Sequence, residues 1–295
     1  FPQIFPIFQE AHDFFVNTKK QTATQHLFTN KQLRTLLVPI MVEQLLSSLM
    51  GTADTMMVSN VGSAAISAVS LVDAINILVI QALSALAAGG AILCSQYLGS
   101  QNLKKAKRSA EQVLFVMLVL SCSLSLLCLI FRFPLLRLIF GTVDTDVMAN
   151  SQIYFFFTLL SFPFIGLYDA GASILRAQNN TKGPMTISIL SNFLNIGGNA
   201  ILIFVFGMGV AGAAISTLVS RIFCAIVVIW QLRNPAEQIY VRNYFSIRPD
   251  WSLIKRVLFI GIPSGIENSM FQFGKLAIQS TVSTLSVRLP SPRRQ

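Results

Sequence analysis

The 295 residues are 53% hydrophobic and only 12% charged, with a mean hydropathy of +0.64. Soluble domains carry roughly a quarter charged residues, so this composition excludes an ordinary soluble globular protein and defines a membrane protein. The net charge is +10, but the cations lie between apolar spans, a positive-inside pattern rather than a nucleic-acid-binding one.

Residues 1–30 show no clear period and are expected to form a poorly ordered lead-in without function. Lacking a small-residue cleavage site, they and the span after them are not expected to be a signal peptide. The first apolar span covers about 36–58 within Leu36 to Ser59, LLVPIMVEQLLSSLMGTADTMMVS, and carries Glu43, Gln44 and Asp54. Glu43 and Asp54 are eleven positions apart, which returns them close to one helix face. A carboxylate at membrane depth costs at least ~2.5 kcal/mol on the insertion scale and persists only facing protein or water. Asp54 is therefore the residue around which function is sought.

A Gly62 turn leads to a second span at about 70–97, with Asp73 and Asn76 near its start. The third, Val113 to Phe131, is nearly pure Leu, Val, Cys and Ser, close to the ~20 residues a spanning helix needs. The fourth runs about 152–175, with Pro163 as an expected kink and Asp169 at its expected cytoplasmic end. The fifth and sixth share 185–232 and divide at Gly207 to Gly212, and a seventh begins near Val257. Lys and Arg concentrate in the N-terminal lead and in the second-to-third, fourth-to-fifth and sixth-to-seventh loops. The alternate loops offer Arg132 and Arg137. The N-terminus is accordingly expected in the cytoplasm of a multi-pass protein of the cell (inner or plasma) membrane.

Pro39-x-x-x-Glu43 recurs as Pro263-x-x-x-Glu267, and Lys31 as Lys255, all at an offset of 224. Parallel repeats of this kind predict two six-helix halves, a 6+6 architecture known among secondary transporters. The expected plan is a six-helix N-lobe at 31–232, a cytoplasmic connector at 233–254 and the first helix of a C-lobe at 255–285. Residues 286–295 form a tail that does not continue a membrane helix, as a shift of translational frame would produce. On this reading the rest of the C-lobe is missing and is required for a complete transporter.

Cys94, Cys122, Cys128 and Cys224 sit inside spans with neither disulfide nor zinc spacing and read as core residues. Neither His12 nor His26 lies in a span, and no His-Glu-x-x-His or Gly-x-Ser-x-Gly motif occurs, so no enzyme and no cofactor is expected. Asn192, Asn195 and Asn199 recur at i, i+3 and i+7 on one face of the fifth span. Their amides serve either as glue between helices or as the lining of a polar cavity. Thr217 could face the same space. Glu43, Asp73, Asn76, Asn192 and Arg221 are candidate cavity-lining residues. Glu43 alternatively sits high enough to be hydrated, and Arg221 to pair with a carboxylate or carbonyls inside the lobe. Lys275 could snorkel or pair with Glu267.

Several segments together resemble the multidrug and toxin extrusion (MATE) family, NorM- and DinF-like branch. They are Ala-Asp54-Thr55-Met-Met-Val-Ser, Ser95-Gln96-Tyr97-Leu98-Gly99, Leu175-Arg176-Ala177-Gln178 with Lys182-Gly183-Pro184, Asn195-Ile-Gly-Gly-Asn199, Gly212-Ala-Ala-Ile-Ser-Thr217 and Gly261-Ile-Pro263 with Glu267 and Phe271. The resemblance implies an all-α polytopic membrane protein: the six-helix N-lobe of a two-lobe transporter plus the first C-lobe helix. It implies an antiporter coupled to H+ or Na+ that exports small organic, often cationic, drugs or toxins across the lipid bilayer by alternating access, with no nucleic-acid partner. Asp54 would carry the coupling ion, and Na+ itself if sodium is used. Asn195, Asn199 and Thr217 would stand near it, and Glu267 would be the seventh-helix acid. Some members have Asp where this chain has Asn199. The alternatives are a lipid-linked-precursor flippase of the same superfamily, or a truncated product without function.

Overall fold

The computed structural model describes residues 30–141, 144–242, 244, 248–267 and 270. The lead-in before residue 30, the end of the seventh helix, Lys275 and the tail at 286–295 lie outside the described residues, as do His12 and His26. The chain divides into two compact units, one ending at Val38 and one beginning at Pro39. In the first, Asn30 to Val38 are helical, and Thr35 Oγ1 donates to the Lys31 carbonyl at 2.8 Å. All that follows concerns the second.

The described residues form helices and contain no strand. α1 is Asn30–Ser59, α2 Ser63–Gly99, α3 Leu103–Ile130, α4 Arg132–Phe140, α5 Thr145–Ala177, α6 Lys182–Asn199 and α7 Gly209–Leu232. An eighth helix, α8, covers residues 251–267. Six of these elements are long and apolar enough to cross a membrane, with α6 counted through Val205. In lipid the backbone must satisfy its own hydrogen bonds, and helices of about 20 residues or more do so.

The first six sequence spans are present, but their boundaries differ, and the seventh is described only to residue 267 and at 270. α3 begins at Leu103 rather than Val113, because the Asn102 side chain accepts from Lys105 N–H at 3.1 Å and caps a polar first turn. α4 was not expected; its nine residues are too short to span and are amphipathic rather than uniformly apolar, with Leu138 86% exposed and Leu136 fully buried. α5 passes through Pro163 as one continuous helix. The break between the fifth and sixth spans falls at Phe206 to Met208, where Gly207 has φ +63, a left-handed turn that glycine adopts without a Cβ clash.

α8 starts at 251, six residues before the expected Val257. Asp250 explains the early start: its Oδ1 accepts from Ser252 N–H at 3.1 Å, and its carboxylate pairs with Arg108 at 3.1 Å. Gln112 holds the same turn, donating to the Arg248 carbonyl and accepting from Asp250 N–H, both at 2.9 Å.

α5 is the central helix, packing against α2, α3 and α7, while α6 lies on α7. The core separates into two apolar clusters. One holds Val69, Val72, Phe155, Phe162 and Ala213, and the other Leu83, Met117, Ile174, Val228 and Val257. Along α2 and α7 the stretches between the two clusters include polar side chains: Asp73 and Asn76 on α2, and Ser216, Thr217, Ser220 and Arg221 on α7. The helices therefore carry a polar layer part-way along their length.

Where α8 crosses α2, the helices meet through glycine. A Cβ at Gly89 would stand 2.7 Å from the Gly261 backbone, the small-residue contact that lets membrane helices approach closely. Gly89→Val should lower stability by about 1–3 kcal/mol, because the opposing atoms are main chain and cannot rotate away; thermal unfolding of the purified protein measures it. An unchanged midpoint would show that α8 is not packed there.

Candidate functional site

Asp54 lies on α1 at 8% exposure, and Asn195, Asn199 and Thr217 are also buried. Their side chains form one chain of contacts. Asn199 Nδ2 donates to Asp54 Oδ1 in a short hydrogen bond and lies 3.4 Å from Asn195 Oδ1. Asn195 Nδ2 donates to Thr217 Oγ1 at 3.3 Å, and Thr217 passes its own proton to the Ala213 carbonyl at 3.0 Å. Ser216 Oγ donates to the Asn195 carbonyl at 2.8 Å and locks α7 against α6. The i, i+4 spacing of Asn195 and Asn199 stacks two amides one turn apart. Directly after Asn199 the helix widens into a π-helical turn, Ala200–Val205, a local form that recurs at functional sites.

Asn199 Oδ1 is buried and accepts no hydrogen bond. An orphaned buried amide oxygen costs roughly 1–3 kcal/mol, and here it stands beside a carboxylate. Among the described residues no group of three or more His, Cys, Asp or Glu side chains could hold a metal. Any cation here would rest on one carboxylate and neutral oxygens, the donors that suit a hard ion.

A cavity of about 400 Å³ adjoins this network, and Asp54, Asp73, Asn76, Asn192, Thr217 and Arg221 all line it. Asp73 Oδ1 accepts from Asn76 Nδ2 and from the Tyr154 hydroxyl, each at 3.2 Å. Arg221 Nη1 donates to Ser161 Oγ at 2.6 Å and forms no ion pair with a carboxylate among the described residues. Asn195 and Asn199 stand behind the cavity wall with no exposed surface.

One expectation changes. Glu43 neither lines this cavity nor is hydrated: it is 6% exposed, pairs with Arg176 Nη2 at 2.6 Å and accepts from the Tyr168 hydroxyl at 2.9 Å. Burial of an acid on α1 demanded a cation, and Arg176 near the end of α5 supplies it rather than serving as a loop charge. Asp169 lies in α5 ahead of its end at Ala177, and its Oδ2 is buried without a hydrogen-bond partner. Glu267, the expected seventh-helix acid, is exposed on α8 and lines no part of this cavity.

Sequence reasoning missed Tyr154, Tyr168, Arg176 and Ser161. The tyrosines are hidden in apolar, Phe-rich sequence, and nothing in their spacing separates them from core aromatics. Arg176 was visible as the basic group nearest the end of its span, and only its count among loop charges obscured its role.

Fold and site together define a six-helix membrane lobe with a buried carboxylate beside an internal polar cavity. The MatE family model matches residues 39–201, more than half of the chain, and this chain belongs to that transporter family. The uncharacterized transporter YisQ of Bacillus subtilis is 29% identical over 256 residues, 85% of this chain and 55% of its own length. The probable multidrug resistance protein NorM of Thermotoga maritima is 29% identical over 258 residues, 83% of this chain and 53% of its own. An outward-facing multidrug resistance MATE family transporter of the MOP superfamily shares the fold with a TM-score of 0.77 at 23% identity, over 85% of this chain and 55% of that one. The chain thus spans about half the length of the curated relatives it matches.

Removing one partner of a buried ion pair typically costs about 3–5 kcal/mol. With the Arg176 side chain 34% exposed, Arg176→Ala should fall toward the lower end. The double variant Glu43→Gln/Arg176→Gln should recover most of that loss, because no unpaired charge remains. Thermal or denaturant unfolding of the two variants tests this, and equal losses in both would argue against the pair.

Proposed function

We propose that this chain forms the N-lobe of a cation-coupled antiporter that exports bulky organic molecules, often cationic, by alternating access. In this reading residues 31–232 are the lobe, 233–254 a cytoplasmic connector and 255–285 the first helix of a second lobe. The N-terminus faces the cytoplasm of the cell membrane. The observation that carries the proposal is Asp54: one carboxylate held inside a membrane lobe by a single amide donor, next to an amide oxygen with no donor of its own.

A proton arriving from outside would neutralise Asp54 and break the reason for the Asn199 contact. Na+ would instead sit between Asp54 and neutral oxygens such as Asn199 Oδ1 and Thr217 Oγ1, with the amide turned to present its oxygen. Because position 199 is an amide rather than an acid, Asp54 is the only charged member of the four-residue network. That balance suits one monovalent ion. Occupied and empty lobes then differ in charge and packing, and an ion can shift a conformational equilibrium only through such a difference.

Arg221 on the cavity wall would suit a phosphate, as a flippase needs. Asp54 and Asp73 on the same wall oppose an anionic cargo, so the drug-exporting reading is preferred.

Asp54→Asn keeps the size and hydrogen-bonding shape of the side chain while removing its charge. In everted vesicles carrying the complete transporter, this variant should reduce cation-driven dye efflux to that of vesicles without the protein. Imposing a proton gradient or a Na+ gradient separately identifies the ion. Undiminished efflux by Asp54→Asn under both gradients would sink the assignment.

A further inference from the structure

A larger cavity, about 770 Å³, opens between the start of α6 and the end of α7, away from Asp54. Its rim carries Lys182 and Arg233, both exposed, and its wall continues along Leu190, Val227 and Trp230. Trp230 is 75% exposed although it lies in the last turn of a spanning helix. Neither rim cation forms an ion pair among the described residues. The nearby Glu237 already accepts from Asn180 Nδ2 at 2.6 Å, and Asn180 Oδ1 accepts from Gly183 N–H at 3.0 Å. The polar groups around the rim are thus satisfied by one another, and the two positive charges are not.

The groove is positive at its mouth and apolar along its length. A free inorganic anion would use the mouth and leave the wall unpaired. A protein partner would suit Trp230 and Arg233 but not Lys182, since lysine is depleted at protein interfaces. Tryptophan with Lys and Arg at the end of a membrane helix marks the depth of the lipid headgroups. Basic pockets between membrane helices on the cytoplasmic side bind anionic headgroups. Lys182 and Arg233 belong to the loops that the proposed topology places on that side.

We propose that this groove binds an anionic phospholipid, with its phosphate between Lys182 and Arg233 and an acyl chain along Leu190 and Trp230. The inference rests on the membrane topology proposed above and not on ion coupling at Asp54. The bound lipid would fix α6 against α7, the two helices that carry the Asn195, Asn199 and Thr217 network.

The full-length protein, purified in a neutral detergent, is titrated with phosphatidylglycerol, with phosphatidylcholine of the same acyl chains, and with inorganic phosphate. Thermal unfolding and native mass spectrometry are the readouts. Phosphatidylglycerol should raise the unfolding temperature and remain bound, while the other two should do neither. Lys182→Gln/Arg233→Gln should weaken phosphatidylglycerol binding by about tenfold or more, as expected for loss of two cation contacts. If the double variant does not fold, Lys182→Gln alone should weaken it by about fivefold.

Equal binding by wild type and variant, an equal shift with phosphate alone, or no shift in wild type because another protein segment fills the groove would each overturn the proposal. Because the readout is lipid binding rather than transport, failure here leaves the role of Asp54 untouched.

Discussion

The contact between Asp54 and Asn199 is the constraint from which the rest of this lobe follows. A carboxylate cannot be held at membrane depth without donors or charge compensation. The chain meets that requirement with an amide rather than a guanidinium. An amide donor stabilises the charge without cancelling it, and the proposed coupling role needs a carboxylate held in that way.

The contrast with Glu43 shows the other solution. It shares α1 with Asp54, yet it is fixed by Arg176 and Tyr168 on α5. The two acids differ in what meets them rather than in burial. One is neutralised by a permanent partner, and the other only by a neutral donor. Much of the opposite face of α1 is exposed apolar surface, including Met41, Leu45, Leu49 and Met56. These two polar contacts therefore tie α1 to α5 and α6, which links the helix position to the charge state of Asp54 in the proposed mechanism.

The polar layer between two apolar clusters gives the contacts their setting. Asp73 with Asn76 and Tyr154, Arg221 with Ser161, and the Asn195, Asn199 and Thr217 chain all fall at this level of the lobe. Most polar atoms at this cavity have partners, and Asn76 Oδ1 and Asn199 Oδ1, buried without one, stand out against that background.

The apolar spans, their order and the membrane class were legible in the sequence, because the cost of exposing a polar backbone to lipid forces long uninterrupted apolar runs. The grouping of Asn195 with Asn199 was legible too, since helical periodicity alone places them on one face. Helix ends at Leu103 and 251 were not, because caps such as Asn102 and Asp250 depend on a single side chain rather than on a pattern. Pairing across helices was out of reach for a further reason. Spacing along one chain says nothing about which of several buried groups on another helix comes within hydrogen-bond distance. Sequence alone therefore determined that Asp54 must be held away from lipid. Only the tertiary structure decided that Asn199 receives it and that Arg176 takes Glu43, because those outcomes depend on how the helices pack in three dimensions.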